Sequence, residues 1–442
     1  MPYVDAFRHR LVDDLDGGGP FATTVRKASM LRALHREPAF RHAAVAFGAA
    51  CGLVDGEEWP LERTVRWPVP APNKTLALRH YGRCLQGIRG LIANGGGGEG
   101  GNLDDALFCA LLCICFELRI GTPHLALHHL EHSLSIIQAN WTNVSDDLVL
   151  AFAKMDVQAS MFLRHRVPRT DMASLAAVAD GAAEKDDAAL ACLLGRTFQL
   201  IRAYPGMFRR LSSAIQIPRC AAEDLATLTG DLQRFRARHA ILDVPGPGTT
   251  KSLPLSQQTL WITCLTLHVI LSSCLRGDDE MLYDGFLAHF EAITTMSENI
   301  LRTDDSRRAS TRTGYKTFRL DTGLLHPLFM TGQLCRHTGV RRRVLRLLGG
   351  VSFDEGVWDA SSGEKYVRIL MRLEEQGLVL APEEEEEETD DLVGRPPSVI
   401  AECNRTRTLD VQPTAAERYS TMFFRFDRQT GQWDDLVESI EW

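Results

Sequence analysis

The chain has 442 residues, 45 % of them apolar, and a formal net charge of −8. No apolar run approaches the roughly 18 residues of a membrane-spanning helix, and the opening MPYVDAFRHRLVDD has no basic end leading into an apolar stretch, which excludes a secretory signal. The charge is local: Glu383 to Glu388 with Asp390 and Asp391 supply eight acids, leaving 49 acids against 49 Lys and Arg elsewhere, a balance that does not advertise a phosphate-gripping surface.

From Met1 to about Ala71 helical spacing is broken by Gly17 to Pro20 and by the proline-rich Pro68 to Pro72. A helix is expected from Lys74 through Leu76, Leu78, Tyr81 and Leu85 to Leu91, followed by a flexible loop at Gly95 to Gly98 with Gly100 and Gly101. Next comes the most apolar segment, Leu103 to Leu118. Past its first turn it carries no polar face and therefore belongs at the centre of a bundle. Asp104 and Asp105 suit the positive end of its dipole, and Gly121-Thr122-Pro123 ends it. Leu130, Leu134 and Ile137 then place an apolar stripe on a second helix, so the pair forms a helical hairpin.

Further helices are expected at 147–164, 172–203, 221–240, 255–275, 278–302, 324–348 and 364–376. Strand-like alternation is nearly absent before residue 395. Beyond it, 406–411 and 420–426 read as short strands, with Thr430-Gly431 as a turn. The fold class is thus mainly α, a large multi-helix bundle or array with a small C-terminal β-hairpin. Residues 1–380 form the helical body, 381–395 an acidic solvated linker, and 396–442 a β-containing tail.

Candidate sites fail on spacing. His124, His128 and His132 share a helix face with Glu131, but the order His128-His129-Leu130-Glu131-His132 is not the His-Glu-x-x-His of a metalloprotease, and packed or partly exposed histidines are expected. Cys109, Cys113 and Cys115 lie within an apolar helix, where cysteine acts as a small hydrophobe rather than a zinc thiolate. The eleven cysteines include no Cys-x-x-Cys and fit a reducing compartment, cytosol or nucleus. An Mg²⁺-diphosphate face of the Asp-Asp-x-x-Asp type fails at each Asp pair: Leu282 follows Asp278-Asp279, Arg308 follows Asp304-Asp305, and Phe108 follows Asp104-Asp105. Nor is there a P-loop, a Gly-x-Ser-x-Gly elbow or a dinucleotide-binding glycine pattern. No catalytic, cofactor-binding, metal-binding or DNA-binding residue is assigned, and no cofactor is expected.

Four stretches, in order, carry a resemblance. Cys115-Phe116-Glu117, Gly121 and Ala126-Leu127-His128-His129-Leu130 are similar to a cysteine-rich helix ending in Glu and followed by Gly-Asn-x-x-x-Ala-x-x-His-Leu, with Thr122 in place of the usual Asn. Phe152 to Met161 is similar to a Leu-Asp-x-Gln helix, with Met155 in place of Leu. Asp321 to Phe329 with Cys335-Arg336 and Arg341-Arg342 is the third, and Glu355-Gly356-Val357-Trp358-Asp359 with Glu374-Glu375 the fourth. Over roughly residues 75–380 the chain resembles the fungal-specific transcription factor domain, the helical region that follows the zinc cluster in many fungal regulators.

The resemblance implies a nuclear regulator of transcription, often of a metabolic or secondary-metabolite pathway, whose helical body regulates rather than catalyses. Its implied partners are other transcription regulators or the transcription machinery, with DNA reached only indirectly or through the amino-terminal zinc cluster. It implies no membrane partner and is compatible with a homodimer. The six-cysteine cluster is missing from this sequence: either the module was lost or the sequence is incomplete. Two other classes stay open, a partner- or ligand-binding helical module without a direct transcriptional role and an all-helical enzyme.

Overall fold

The computed structural model describes residues 2–15, 27–51, 71–94, 101–163, 165–181, 185–204, 218–241, 243–246, 250, 252–274, 280–311, 317–320, 323–375, 400–401, 404–413, 419–427 and 432–441. These are mainly α-helical. Gly17 to Pro20, Pro68 to Pro70 of the proline-rich stretch, the glycine loop at 95–100, the acidic linker, Asp278-Asp279 and the turn at 430–431 lie outside them.

The chain begins with α1 (Pro2–Ala6), a π turn (Phe7–Leu11), α2 (Val12–Leu15), α3 (Lys27–Arg36) and α4 (Pro38–Ala50). Helix α4 is a centre that the interrupted spacing of this region did not announce. It is buried from Ala43 to Ala50 and packs on α1, α3, α5 and α6. Its start is defined by Pro38 at the first turn and by Glu37, whose carboxylate accepts the Ala39 N–H at 2.9 Å.

Helix α5 (Ala71–Asn94) covers the expected segment, and α6 (Gly101–Ile120) is buried on every face from Asp105 to Glu117, as its lack of a polar face requires. Asp105 pairs with Arg36 at the mouth of α6, and Asp104 accepts the Ser145 N–H at 3.1 Å. Helix α6 ends in a Schellman turn. Gly121 adopts φ 78°, the Gly121 N–H donates to Leu118 O at 3.2 Å, and the Thr122 N–H donates to Glu117 O at 2.9 Å. The chain then reverses into α7 (Pro123–Ala139), which packs on α6 with Leu130, Leu134 and Ile137 inward.

Helix α8 (Asp146–Phe162) is almost wholly buried. Next come α9 (Met172–Gly181), α10 (Lys185–Ala203), α11 (Arg219–Arg238), α12 (Leu255–Ser273), a 3-10 turn (Glu280–Phe286) and α13 (Leu287–Thr311). The helix expected over 324–348 is two helices, α14 (Leu325–Leu334) and α15 (Thr338–Gly350). Cys335 turns extended at ψ 127°, and the His337 ring accepts the Val340 N–H at 3.3 Å to start α15 afresh. Helix α16 (Ala360–Glu375) closes the body.

Two three-residue strands, β1 (Thr317–Arg319) and β2 (Phe353–Glu355), pair in parallel across α14 and α15. They are too short to show alternation. At the C-terminal end β3 (Thr406–Pro413) and β4 (Tyr419–Asp427) form the expected antiparallel hairpin, and β5 (Gln432–Glu441) adds a third strand on β4.

Apolar side chains from Tyr3 to Cys192, with Phe318 and Leu320, build one core cluster, and those from Phe162 to Leu373 a second. Leu127, Met161 and Leu194 pack against both and join them. No helix among the described residues is long and apolar enough to cross a membrane.

Candidate functional site

The chemistry-bearing groups that the fold assembles are buried polar ties between helices, and they fall largely on the stretches singled out above. Glu374 of α16 is fully buried, a placement that costs free energy unless the charge is matched. It receives Arg341 of α15 at 2.5 Å and Arg336, from the α14–α15 break, at 3.1 Å. The Thr406 N–H donates to it at 2.8 Å and the Thr406 hydroxyl at 3.1 Å. Burial alone would push this carboxyl up, but the two guanidiniums and the Thr406 N–H hold it below the usual carboxylate range. Arg336 also pairs with Glu280 at 3.0 Å and donates to Thr406 O at 3.0 Å.

This cluster anchors the C-terminal sheet, since Thr406 is the first residue of β3. Its neighbour Arg405 donates to Glu280 O at 2.6 Å and to both oxygens of Asp284, at 2.9 and 2.7 Å.

A second tie surrounds Glu355, at the end of β2. One of its oxygens accepts the N–H groups of Gly323, Leu324 and Leu325 at 3.0, 2.9 and 2.8 Å, capping α14 from a distant strand. Burial pushes this carboxyl up, while the capping N–H groups and Arg319 pull it back. Arg319 bonds Asp304 at 2.7 Å and lies over the Phe353 ring at 3.6 Å from its centroid.

Gln158 of α8 reaches the same place, donating to Leu320 O at 2.8 Å. Gly356 sits against it in the left-handed region at φ 54°, and a Cβ there would come within 1.9 Å of the Gln158 side-chain oxygen. Two residues earlier Asp156 pairs with Arg166 at 2.5 Å and accepts the Arg169 and Thr170 N–H groups, each at 2.7 Å.

A third region lies where α5 crosses α4, α6 and α7. The Tyr81 ring stacks on Phe116 at 4.7 Å, and its hydroxyl meets His129 Nε2 at 2.8 Å. His42 of α4 and His80 of α5 meet Nδ1 to Nδ1 at 2.9 Å, and burial lowers the pKa of both rings. Cys84 of α5 faces Cys113 of α6 at 3.7 Å, with Cys109 one turn before Cys113 on α6.

The sequence candidates are otherwise dispersed. His128 and His132 are exposed, with His132 Nδ1 at 2.7 Å from the carbonyl of His128, and His124 is half-buried. Cys109, Cys113 and Cys115 are buried in α6. Among the described residues no three His, Cys, Asp or Glu side chains are arranged to hold a metal ion, and no disulfide forms.

Sequence reasoning passed over Cys84, the His42–His80 pair and Arg405. Each is an isolated polar or sulfur-bearing residue whose partner lies far along the chain, so spacing carries no signal for it. What the arrangement does chemically is fasten. The carboxylates of Asp156, Glu355 and Glu374 are all engaged by backbone or arginine donors rather than presented to an opening. The sequence matches no protein-family model, and no curated protein and no solved structure matches it.

Proposed function

We propose that this chain is the helical regulatory body of a fungal transcription regulator of the zinc-cluster type, working in the nucleus through other regulators or the transcription machinery rather than by catalysis. What supports the reading is the convergence of three of the four stretches that carry the resemblance, the second, third and fourth. Gln158 of the second meets Leu320, beside the third, and Gly356 of the fourth; Glu355 of the fourth caps α14 of the third. Arg336 and Arg341 of the third close on Glu374 of the fourth. Motifs scattered over more than 200 residues thus act as reciprocal buried partners, where a change on one side strands a charge or donor on the other.

On this reading DNA recognition resides in a zinc cluster that this chain does not contain. Family members read base edges through a helix held by six thiolates in two closely spaced sets, and here the densest basic run is Arg341-Arg342-Arg343. Arg341 is spent on Glu374, and Arg343 on Glu298 at 2.9 Å. A gel-shift titration of the chain against duplex DNA at about physiological salt tests this. No sequence-selective retention is expected, and selective retention overturns the assignment.

A further inference from the structure

The α5–α6 crossing holds three thiols in one buried spot: Cys84 from α5, and Cys109 and Cys113, one turn apart, from α6. Cys84 Sγ lies 3.7 Å from Cys113 Sγ. Bonded sulfurs sit about 2.05 Å apart, so modest side-chain rotation and a small helix shift separate this contact from a covalent bond. From the geometry we infer that Cys84 and Cys113 form a peroxide-driven oxidative modification site, which converts the contact between α5 and α6 into an intramolecular disulfide.

Three further observations favour this pair. Helix α5 is half-exposed: Asn73, Ala77 and Cys84 are buried, Leu76, Tyr81, Leu85, Ile88 and Leu91 pack partly buried against the core, and Leu78 and Ile92 face solvent. Local opening of such a half-exposed helix, rather than global unfolding, gives a small oxidant access to Cys84. The neighbouring thiols also divide the roles. The neighbouring Cys109 and Cys113 thiols lower the pKa of Cys84, while Cys84 and burial push their own pKa values up. Burial instead pushes Cys192 to about 11 and Cys264 to about 12, so they stay protonated and inert.

The chemistry balances with hydrogen peroxide as oxidant. Cys84 sulfur attacks a peroxide oxygen; the O–O bond breaks, water leaves, and Cys84 becomes a sulfenic acid. Cys113 sulfur then attacks Cys84 sulfur; the S–S bond forms, the S–O bond breaks, and a second water leaves. Two thiols have lost two electrons and two protons, and peroxide has been reduced to two waters. A dithiol reductant reverses the bond by exchange. The inference does not depend on the transcriptional reading.

Peptide mapping of the full chain tests it. The protein is treated with limiting hydrogen peroxide, remaining thiols are alkylated, and tryptic fragments are read without reduction. Arg83, Arg89 and Arg119 bound two fragments, 84–89 with Cys84 and 90–119 with Cys109, Cys113 and Cys115. The expected result is a cross-linked 84–89/90–119 species, lighter by about 2 Da than the two reduced fragments together and lost on adding dithiothreitol. Cys84→Ser should abolish it and Cys113→Ser should reduce it at least tenfold, while Cys115→Ser leaves it intact. Circular dichroism identifies any variant that fails to fold, and Cys109→Ala provides a second folded comparison that retains the cross-link. If Cys84 is still fully alkylatable once the exposed Cys220 has been consumed, the inference is wrong. It is also wrong if the cross-link forms no faster in folded protein than in urea, since proximity in the fold would then contribute nothing.

Discussion

Replacing Glu374 by Gln tests the buried network most severely. The substitution keeps the shape and one acceptor oxygen but removes the charge that faces Arg336 and Arg341, both buried. Breaking a buried pair from one side costs about 3–5 kcal/mol, because the remaining charge keeps its desolvation penalty. Glu280 still answers Arg336 at 3.0 Å, whereas Arg341 loses its carboxylate, so the lower end of that range, about 3 kcal/mol, is expected for Gln and the upper end for Ala. Urea unfolding followed by tryptophan fluorescence reads the change, with the buried Trp261 and Trp358 as reporters. Arg368→Ala is the control. Its partner Glu364, four residues earlier on α16, lies at 2.7 Å, and with Arg368 itself 66 % exposed the pair is worth under about 1 kcal/mol. Because the Thr406 N–H donates to Glu374, its hydrogen exchange should accelerate in the Gln variant more than exchange in the buried α8. A Gln variant no less stable than the Arg368 control, with Thr406 protection unchanged, would refute the reasoning.

Two further outcomes follow from single contacts. His326 is buried beside Trp358, and burial lowers its pKa to about 3. From an unfolded value near 6.5 the unfolded chain binds a proton first as pH falls, so this group's contribution is intact above about pH 6.5 and shrinks below it; at pH 5 the loss is about 2 kcal/mol. Denaturation at pH 7.5 and pH 5 should show a smaller pH-dependent loss in His326→Phe than in the parent, and an equal loss in both would exclude His326 as the cause. Gly356→Ala places a methyl on the Gln158 oxygen and strains a left-handed backbone, which should cost about 2–3 kcal/mol. The additional change Gln158→Ala should recover only the steric part; full recovery would show that the backbone angle carries no strain.

The helical class was legible because burial on every face writes itself into composition. Leu103 to Leu118 has no polar face past its first turn, and α6 is buried throughout. The Gly-Thr-Pro stop was legible because only glycine fits the Schellman position at φ 78°. Helix α4 was missed because alanines and Gly48 outnumber Phe40, Val45 and Phe47 on its buried faces, which weakens the apolar stripe in the sequence. The break at Cys335-Arg336-His337 was missed because leucines continue in register on both sides, and the signal that stops α14 is an arginine drawn to Glu374, 38 residues away. Strand β5 was overlooked because Asp434, Asp435 and Glu438 interrupt its apolar residues, and it is recruited by pairing with β4. The thiol cluster was half visible: Cys109 and Cys113 were read as packing, and only the fold supplies Cys84 from a helix that looks polar.

The central claim is that this body regulates transcription once another module brings it to a promoter. The direct measurement fuses residues 1–442 behind a foreign zinc cluster in a fungal cell and reads transcription from a reporter carrying that cluster's site, against the cluster alone at equal nuclear abundance. The account predicts a reproducible change, activation or repression, that is weakened when Glu374→Gln destabilises the body. Reporter output identical to that of the cluster alone, from a fusion shown to be folded and bound at the site, would contradict it.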